Sequence, residues 1–225
     1  MKNILLTLAS TMLICGLGFS QSILQVNIKD CREENGYKYL NEFNVFRNDS
    51  LIATCRSPHE SKQKLKKLEF GSYRIEYFSI FHTKESISFE LTEMKEYSID
   101  LCVNHMTYDP YFAKPIIDKL KSQESYSIDI TSLGCFHSAK DRIIIKRIKD
   151  EYRLTLGEKE KLLGDEEIEI IRRFEEELYH MESFGCTTVD TYVLKFNGSE
   201  IKISDGSCDW NGAFYLKRDL NLIDY

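Results

Sequence analysis

Between Ile23 and Val103 apolar side chains recur at every second position, and the pattern is cut at short intervals by polar turn residues. Successive side chains of an extended strand point to opposite faces, so this period describes strands with one face in a core and the other in water. A helix would need a period of about 3.6. Leu24-Gln25-Val26-Asn27-Ile28-Lys29 alternates in this way, as do Tyr73-Arg74-Ile75-Glu76-Tyr77, Ser86-Ile87-Ser88-Phe89-Glu90-Leu91 and Tyr97-Ser98-Ile99-Asp100-Leu101. Asn48-Asp49-Ser50 reads as a hairpin turn between Phe43-Asn44-Val45-Phe46 and Leu51-Ile52-Ala53. About seven strands at this spacing, with no long helix among them, predict an antiparallel β-sandwich over residues 21–104.

The alternation stops at Asn104-His105-Met106-Thr107-Tyr108-Asp109-Pro110-Tyr111. Beyond it, residues 114–120 suit a short helix with Pro115 in its first turn, and Lys121-Ser122-Gln123-Glu124-Ser125 is polar, so residues 105–125 read as a linker. Strands resume at Tyr126-Ser127-Ile128-Asp129-Ile130, Arg142-Ile143-Ile144-Ile145-Lys146 and Tyr152-Arg153-Leu154-Thr155-Leu156. One strong helix is expected from Asp165, as its N-cap, to Glu182, because Ile168, Ile171, Phe174, Leu178 and Met181 fall on one face. Two more strands, residues 188–196 and 200–203, flank an Asn197-Gly198 turn. The expected fold class is mostly β: the sandwich, then a small α+β domain over residues 126–225 with one main helix on an antiparallel sheet.

The chain opens with Met1-Lys2-Asn3 and then runs uncharged from Ile4 to Gly18. One positive charge before an apolar stretch is the layout of a bacterial secretory signal, and Gly18 and Ser20 are small residues where a cut before Gln21 needs them. Residues 1–20 are therefore expected to be a signal peptide, and the remainder to be secreted, periplasmic or cell-surface. No later stretch is long and apolar enough to span a membrane. The formal charge of −6 becomes −7 once Lys2 is gone, and acids and bases are mixed along the chain, which argues against nucleic acid or an anionic membrane as the main partner.

Of seven cysteines, Cys15 lies in the signal, which leaves Cys31, Cys55, Cys102, Cys135, Cys186 and Cys208. An even set in an oxidising compartment makes all six disulfide candidates, and no pair has the spacing of a metal knuckle. Cys186 and Cys208 flank one hairpin, so a bridge between them would close its open end. Three cysteines lie on each side of the linker, so complete pairing would require at least one bridge between the halves.

Leu68-Glu69-Phe70-Gly71-Ser72-Tyr73-Arg74-Ile75-Glu76-Tyr77 followed by Ile87-Ser88-Phe89-Glu90-Leu91 resembles the prealbumin-like sandwich of carboxypeptidase regulatory domains, in which an apolar residue and Gly-x-Tyr open a strand. The resemblance covers residues 23–104; the chain departs from the family in lacking a proline before Gly71 and in carrying His82 where a glycine is common. It implies an adhesive or spacer role rather than a chemistry. Residues 186–192 with 205–212 resemble a C-terminal module of uncharacterised secreted bacterial proteins, which implies no activity.

No motif assigns a catalytic residue, a metal site or a cofactor. Asp205, Ser207, Asp209 and Asn211 alternate oxygen donors, but a calcium loop would need glycine where Trp210 stands and a bidentate Glu where Leu216 stands. The lone tryptophan, Trp210, reads as a core residue. The alternative is a secreted hydrolase or hydrolase inhibitor, with Cys135 and His137 two apart on one strand face, Asp190 or Asp205 orienting the base, and the loop to Trp210 beside them. The leading expectation is an exported non-catalytic binding, adhesion or envelope-associated protein whose ligand is a protein or glycan surface.

Overall fold

The computed structural model describes residues 22–32, 40–56, 61–107, 114–136, 138–181, 185 and 187–223. The expected signal peptide, His137 and Cys186 lie outside the described residues.

The first alternating run becomes β1 (Ser22–Lys29), whose Leu24, Val26 and Ile28 are no more than 2% exposed. Six more strands follow: β2 (Glu42–Arg47), β3 (Ser50–Arg56), β4 (Lys62–Leu68), β5 (Gly71–Phe78), β6 (Lys84–Leu91) and β7 (Glu96–Cys102). They form two sheets, β4-β1-β7 and β3-β2-β5-β6, around a core that includes Phe43, Val45, Tyr73, Ile75, Leu91 and Leu101. Asn48 and Asp49 both have positive φ, 47° and 61°, which is what a two-residue hairpin turn between right-twisted strands requires. Gly71 opens β5 at φ 145°, and a Cβ there would stand 3.3 Å from Arg47 Nε.

One feature departs from the expected antiparallel sandwich. β1 pairs with β7 in parallel, from Ile23 opposite Glu96 to Lys29 opposite Cys102; alternation marks strands but not their direction. The basic run Lys62-Gln63-Lys64-Leu65-Lys66-Lys67 is the edge strand β4, with its lysines outward and Leu65 packed on the core. Lysines on an edge discourage pairing with another chain.

A second core is built on one antiparallel sheet, in the order β11-β10-β9-β8-β12-β13. Its strands are β8 (Ser125–Leu133), β9 (Ser138–Ile148), β10 (Glu151–Leu156), β11 (Lys159–Leu163), β12 (Val189–Phe196) and β13 (Ser199–Asp205). α1 (Asp165–Tyr179) lies on one face through Ile171, Phe174 and Leu178. Gly164, not Asp165, is its N-cap, and the Glu167 carboxylate accepts the Gly164 N–H at 2.7 Å. A second helix, α2 (Gly212–Asp219), was not expected; Ala213, Leu216 and Leu220 bury against the same core. Ile116, Ile117 and Leu120, inside the segment read as linker, are at most 3% exposed in this core, so the chain is already part of the second body there.

Cys31 and Cys102 are bonded, their Cα atoms 5.3 Å apart, because the parallel β1/β7 pairing brings those strand ends together. Cys208 is also disulfide-bonded. Cys55 and Cys135, both disulfide candidates in the sequence, are free. Cys55 turns from β3 toward the sandwich core, where burial pushes its thiol up, whereas Cys135 is exposed on the β8–β9 connection of the other body. Among the described residues no bridge joins the two halves.

Candidate functional site

The residues singled out in the sequence converge only in part. Register sets Asp190 opposite Asp205, and Ser132 opposite Asp190, at one end of the sheet. Asp205 is 4% exposed and accepts bonds from Ser207 N (2.9 Å) and Ser207 Oγ (2.6 Å). Burial raises its pKa, the Ser207 bonds oppose this, and the charges of Asp190 and Asp209 add to it. Asp190 Oδ1 is buried and has no hydrogen-bond partner among the described residues. Cys135 lies just beyond Leu133, which pairs with Val189, so its loop is at the same sheet end, but the thiol is exposed and the carboxylates face inward. Trp210 does not join them. Its ring stacks on Phe174 at 5.6 Å and meets Phe81 edge-on at 6.3 Å, as the sequence reading of a core tryptophan expected.

Charged groups that the sequence did not single out are buried in α1. Glu175 is 0% exposed; Tyr126 Oη–H and Ile116 N–H donate to its two oxygens. Burial lifts its pKa to about 7 despite these bonds. The value is raised above that of the unfolded chain, so the folded state keeps a proton the unfolded state has lost. Its contribution to stability is full below the ordinary glutamate range and is lost as pH rises toward neutrality, amounting to about 3 kcal/mol. Glu175→Gln, which cannot ionise, should therefore gain about 3 kcal/mol on the native protein between a pH of about 5 and a pH of about 8 in urea unfolding. Equal pH dependence in the two proteins would show that Glu175 does not carry the effect.

The other buried group, Glu177, holds the junction between the two bodies. Its carboxylate, 3% exposed, pairs with Arg32 from the end of β1, accepts Trp210 Nε1–H at 3.1 Å and lies 3.9 Å from Arg173. Asp30, 1% exposed, accepts Tyr215 Oη–H from α2 at 3.1 Å and a bond from Asn104, and the Arg32 guanidinium lies 5.3 Å over the Tyr215 ring. Burial, and then the charge of Arg173, bring the Arg32 pKa down to about 10. Cys31 sits between Asp30 and Arg32, so the disulfide anchors both crossing side chains. Phe81, from the β5–β6 turn, inserts into the second core beside Trp210. On the same side Glu85 accepts bonds from Thr83, Thr107 and His105; burial works to raise its pKa, and these bonds outweigh it and lower it.

A groove of about 320 Å³ runs along this seam, lined by Arg32, His105, Glu169, Arg173, Glu176 and the disulfide among others. Its wall is of mixed charge, and among the described residues no nucleophile stands beside a base in it. No group of three or more His, Cys, Asp or Glu side chains among the described residues could hold a metal ion. No helix among them is long and apolar enough to cross a membrane.

No family model matches the chain, and no curated protein matches it. Among solved structures it is similar to the Bacillus anthracis TIE protein, at 12% identity and a TM-score of 0.34, over 83% of this chain and 31% of that one. The chain thus spans less than a third of the length of that structure.

Proposed function

We propose that the protein is an exported, non-catalytic binding or adhesion protein of the cell envelope, in which the sandwich holds the α+β body in a fixed pose toward a ligand. The observation that carries this reading is the junction. A flexible linker would leave polar, solvated ends, whereas here Asp30 and Glu177 are buried and Arg32 is half-buried across the seam, and a disulfide anchors Asp30 and Arg32. Burying charge is costly unless each group is paired, so such a seam suits a spacer that must keep its orientation. The prealbumin-like resemblance of residues 23–104 and the signal-like residues 1–20 supply the compartment and the spacer role, and the ligand is a protein or glycan surface.

The product recovered outside the cytoplasm should have the intact mass of a chain beginning at Gln21, and covalent probes for serine and cysteine hydrolases should leave it without activity-dependent label. Labelling at Cys135 that is lost in His137→Ala with folding intact would replace this reading with the hydrolase. A mass retaining residues 1–20 would remove the export part of it.

A further inference from the structure

The two faces of the six-stranded sheet differ in charge. α1 alone has seven acidic residues, Asp165, Glu166, Glu167, Glu169, Glu175, Glu176 and Glu177, and it covers one face. The opposite face is open, and strand register places on it Lys140, Arg142 and Lys146 of β9, Arg153 of β10, Lys195 of β12 and Lys202 of β13. Asp129 in the middle neutralises part of this, pairing with Arg142 at 2.9 Å and Lys195 at 3.0 Å. On the same face Glu200 lies 3.9 Å from Lys195 and Glu151 lies 3.8 Å from Arg153, and Glu160 stands on the edge strand β11. Lys140, Lys146 and Lys202 are exposed and have no ion pair among the described residues.

Two cations, Lys146 and Arg153, face each other directly across β9 and β10. Like charges in that position are destabilising; Glu151 beside Arg153 offsets part of the repulsion, and a bound anion would relieve the remainder at Lys146. Lys202, Lys195, Lys146 and Arg153 form a diagonal stripe from β13 to β10 that crosses β8 at serines and extends about 19 Å across the strands, four strand spacings.

We propose that this face binds an anionic polysaccharide. The inference rests on the binding reading above and names its ligand class. Repeating negative charge fits the stripe, and the hydroxyls of Ser125 and Ser127, where it crosses β8, can bond to sugar hydroxyls. Nucleic acid fits less well, because sheets that bind single strands stack bases on aromatic rings, and this face has none among the described residues. The net charge of −6 conceals the face because seven acids lie in α1 on the other side of the sheet, whereas the strands place six cations against four acids on this one.

The test is retention of the full exported chain on immobilised heparin, with dextran, polyglutamate and single-stranded DNA as comparison probes. Binding to heparin should exceed that to the other three and weaken about tenfold or more between about 50 mM and about 200 mM salt. Lys146→Glu with Lys202→Glu should reduce it about tenfold at unchanged melting temperature, while Lys62→Glu with Lys66→Glu on the sandwich edge should leave it intact. Absence of retention at low salt, equal retention on polyglutamate or DNA, or undiminished binding by the Lys146/Lys202 variant would each overturn the proposal. None of these outcomes touches the hydrolase-probe result, so this ligand class can fail while the binding reading stands.

Discussion

Cys31→Ser with Cys102→Ser is expected to lower the unfolding free energy by about 4 kcal/mol. The bridge spans 71 residues of sequence, and a cross-link across so long a loop removes much of the conformational freedom of the unfolded chain. Substitution is the cleaner experiment than reduction, because a reductant would also open the bond at Cys208. Native contacts weaken as well: Asp30 and Arg32, on either side of Cys31, both reach across to the second body, and Tyr77 Oη–H donates to the Cys102 carbonyl at 3.0 Å. Urea unfolding of the double variant should show a lower midpoint. A loss below about 1 kcal/mol would mean that the bridge contributes little, against the loop-length argument.

Glu177→Ala should cost about 4 kcal/mol, because it removes one partner and leaves the other charge buried. Arg32, with its side chain 15% exposed, would lose its carboxylate, and the Trp210 indole N–H would lose its acceptor. Two further variants separate these terms. Glu177→Gln keeps an acceptor for Trp210 but not the charge, and should lose about 2 kcal/mol. Arg32→Met with Glu177→Leu removes both charges and should recover much of the loss, since apolar replacement of a buried pair is often tolerated. As the protein has a single tryptophan, its fluorescence reports this site directly, and Glu177→Ala should shift the emission toward that of a wetter indole. An alanine variant within about 1 kcal/mol of the native protein would remove the junction from the account of stability.

The strands were largely legible because their signal is local. Alternation at Leu24, Val26 and Ile28, or at Tyr73, Ile75 and Tyr77, states which side chains face a core, and those residues are buried. The turns at Asn48-Asp49 and Asn197-Gly198 declared themselves through residue types that tolerate positive φ. β11 (Lys159–Leu163) was missed because its alternating partners are lysines, whose ammonium groups reach the carbonyls of Leu220 and Leu222. α2 was missed because a polar turn precedes it, although Ala213, Leu216 and Leu220 recur at helical spacing and were there to be read.

The sequence by itself determined that the chain is mostly β, where most strands lie, which face of each is apolar, and that one amphipathic helix packs on the second sheet. These follow from side-chain period, a property of neighbours along the chain. Tertiary structure alone decided that β1 runs parallel to β7, that Cys31 meets Cys102 while Cys55 and Cys135 stay free, and that Glu177 is a buried strut rather than a surface charge. It also gathered Lys140 and Lys146 with Lys202, distant from them along the chain, onto the face of one sheet opposite the acidic helix α1. Pairing direction, thiol proximity and the cost of burying a charge all depend on residues distant in sequence, and no local pattern records which of them will meet.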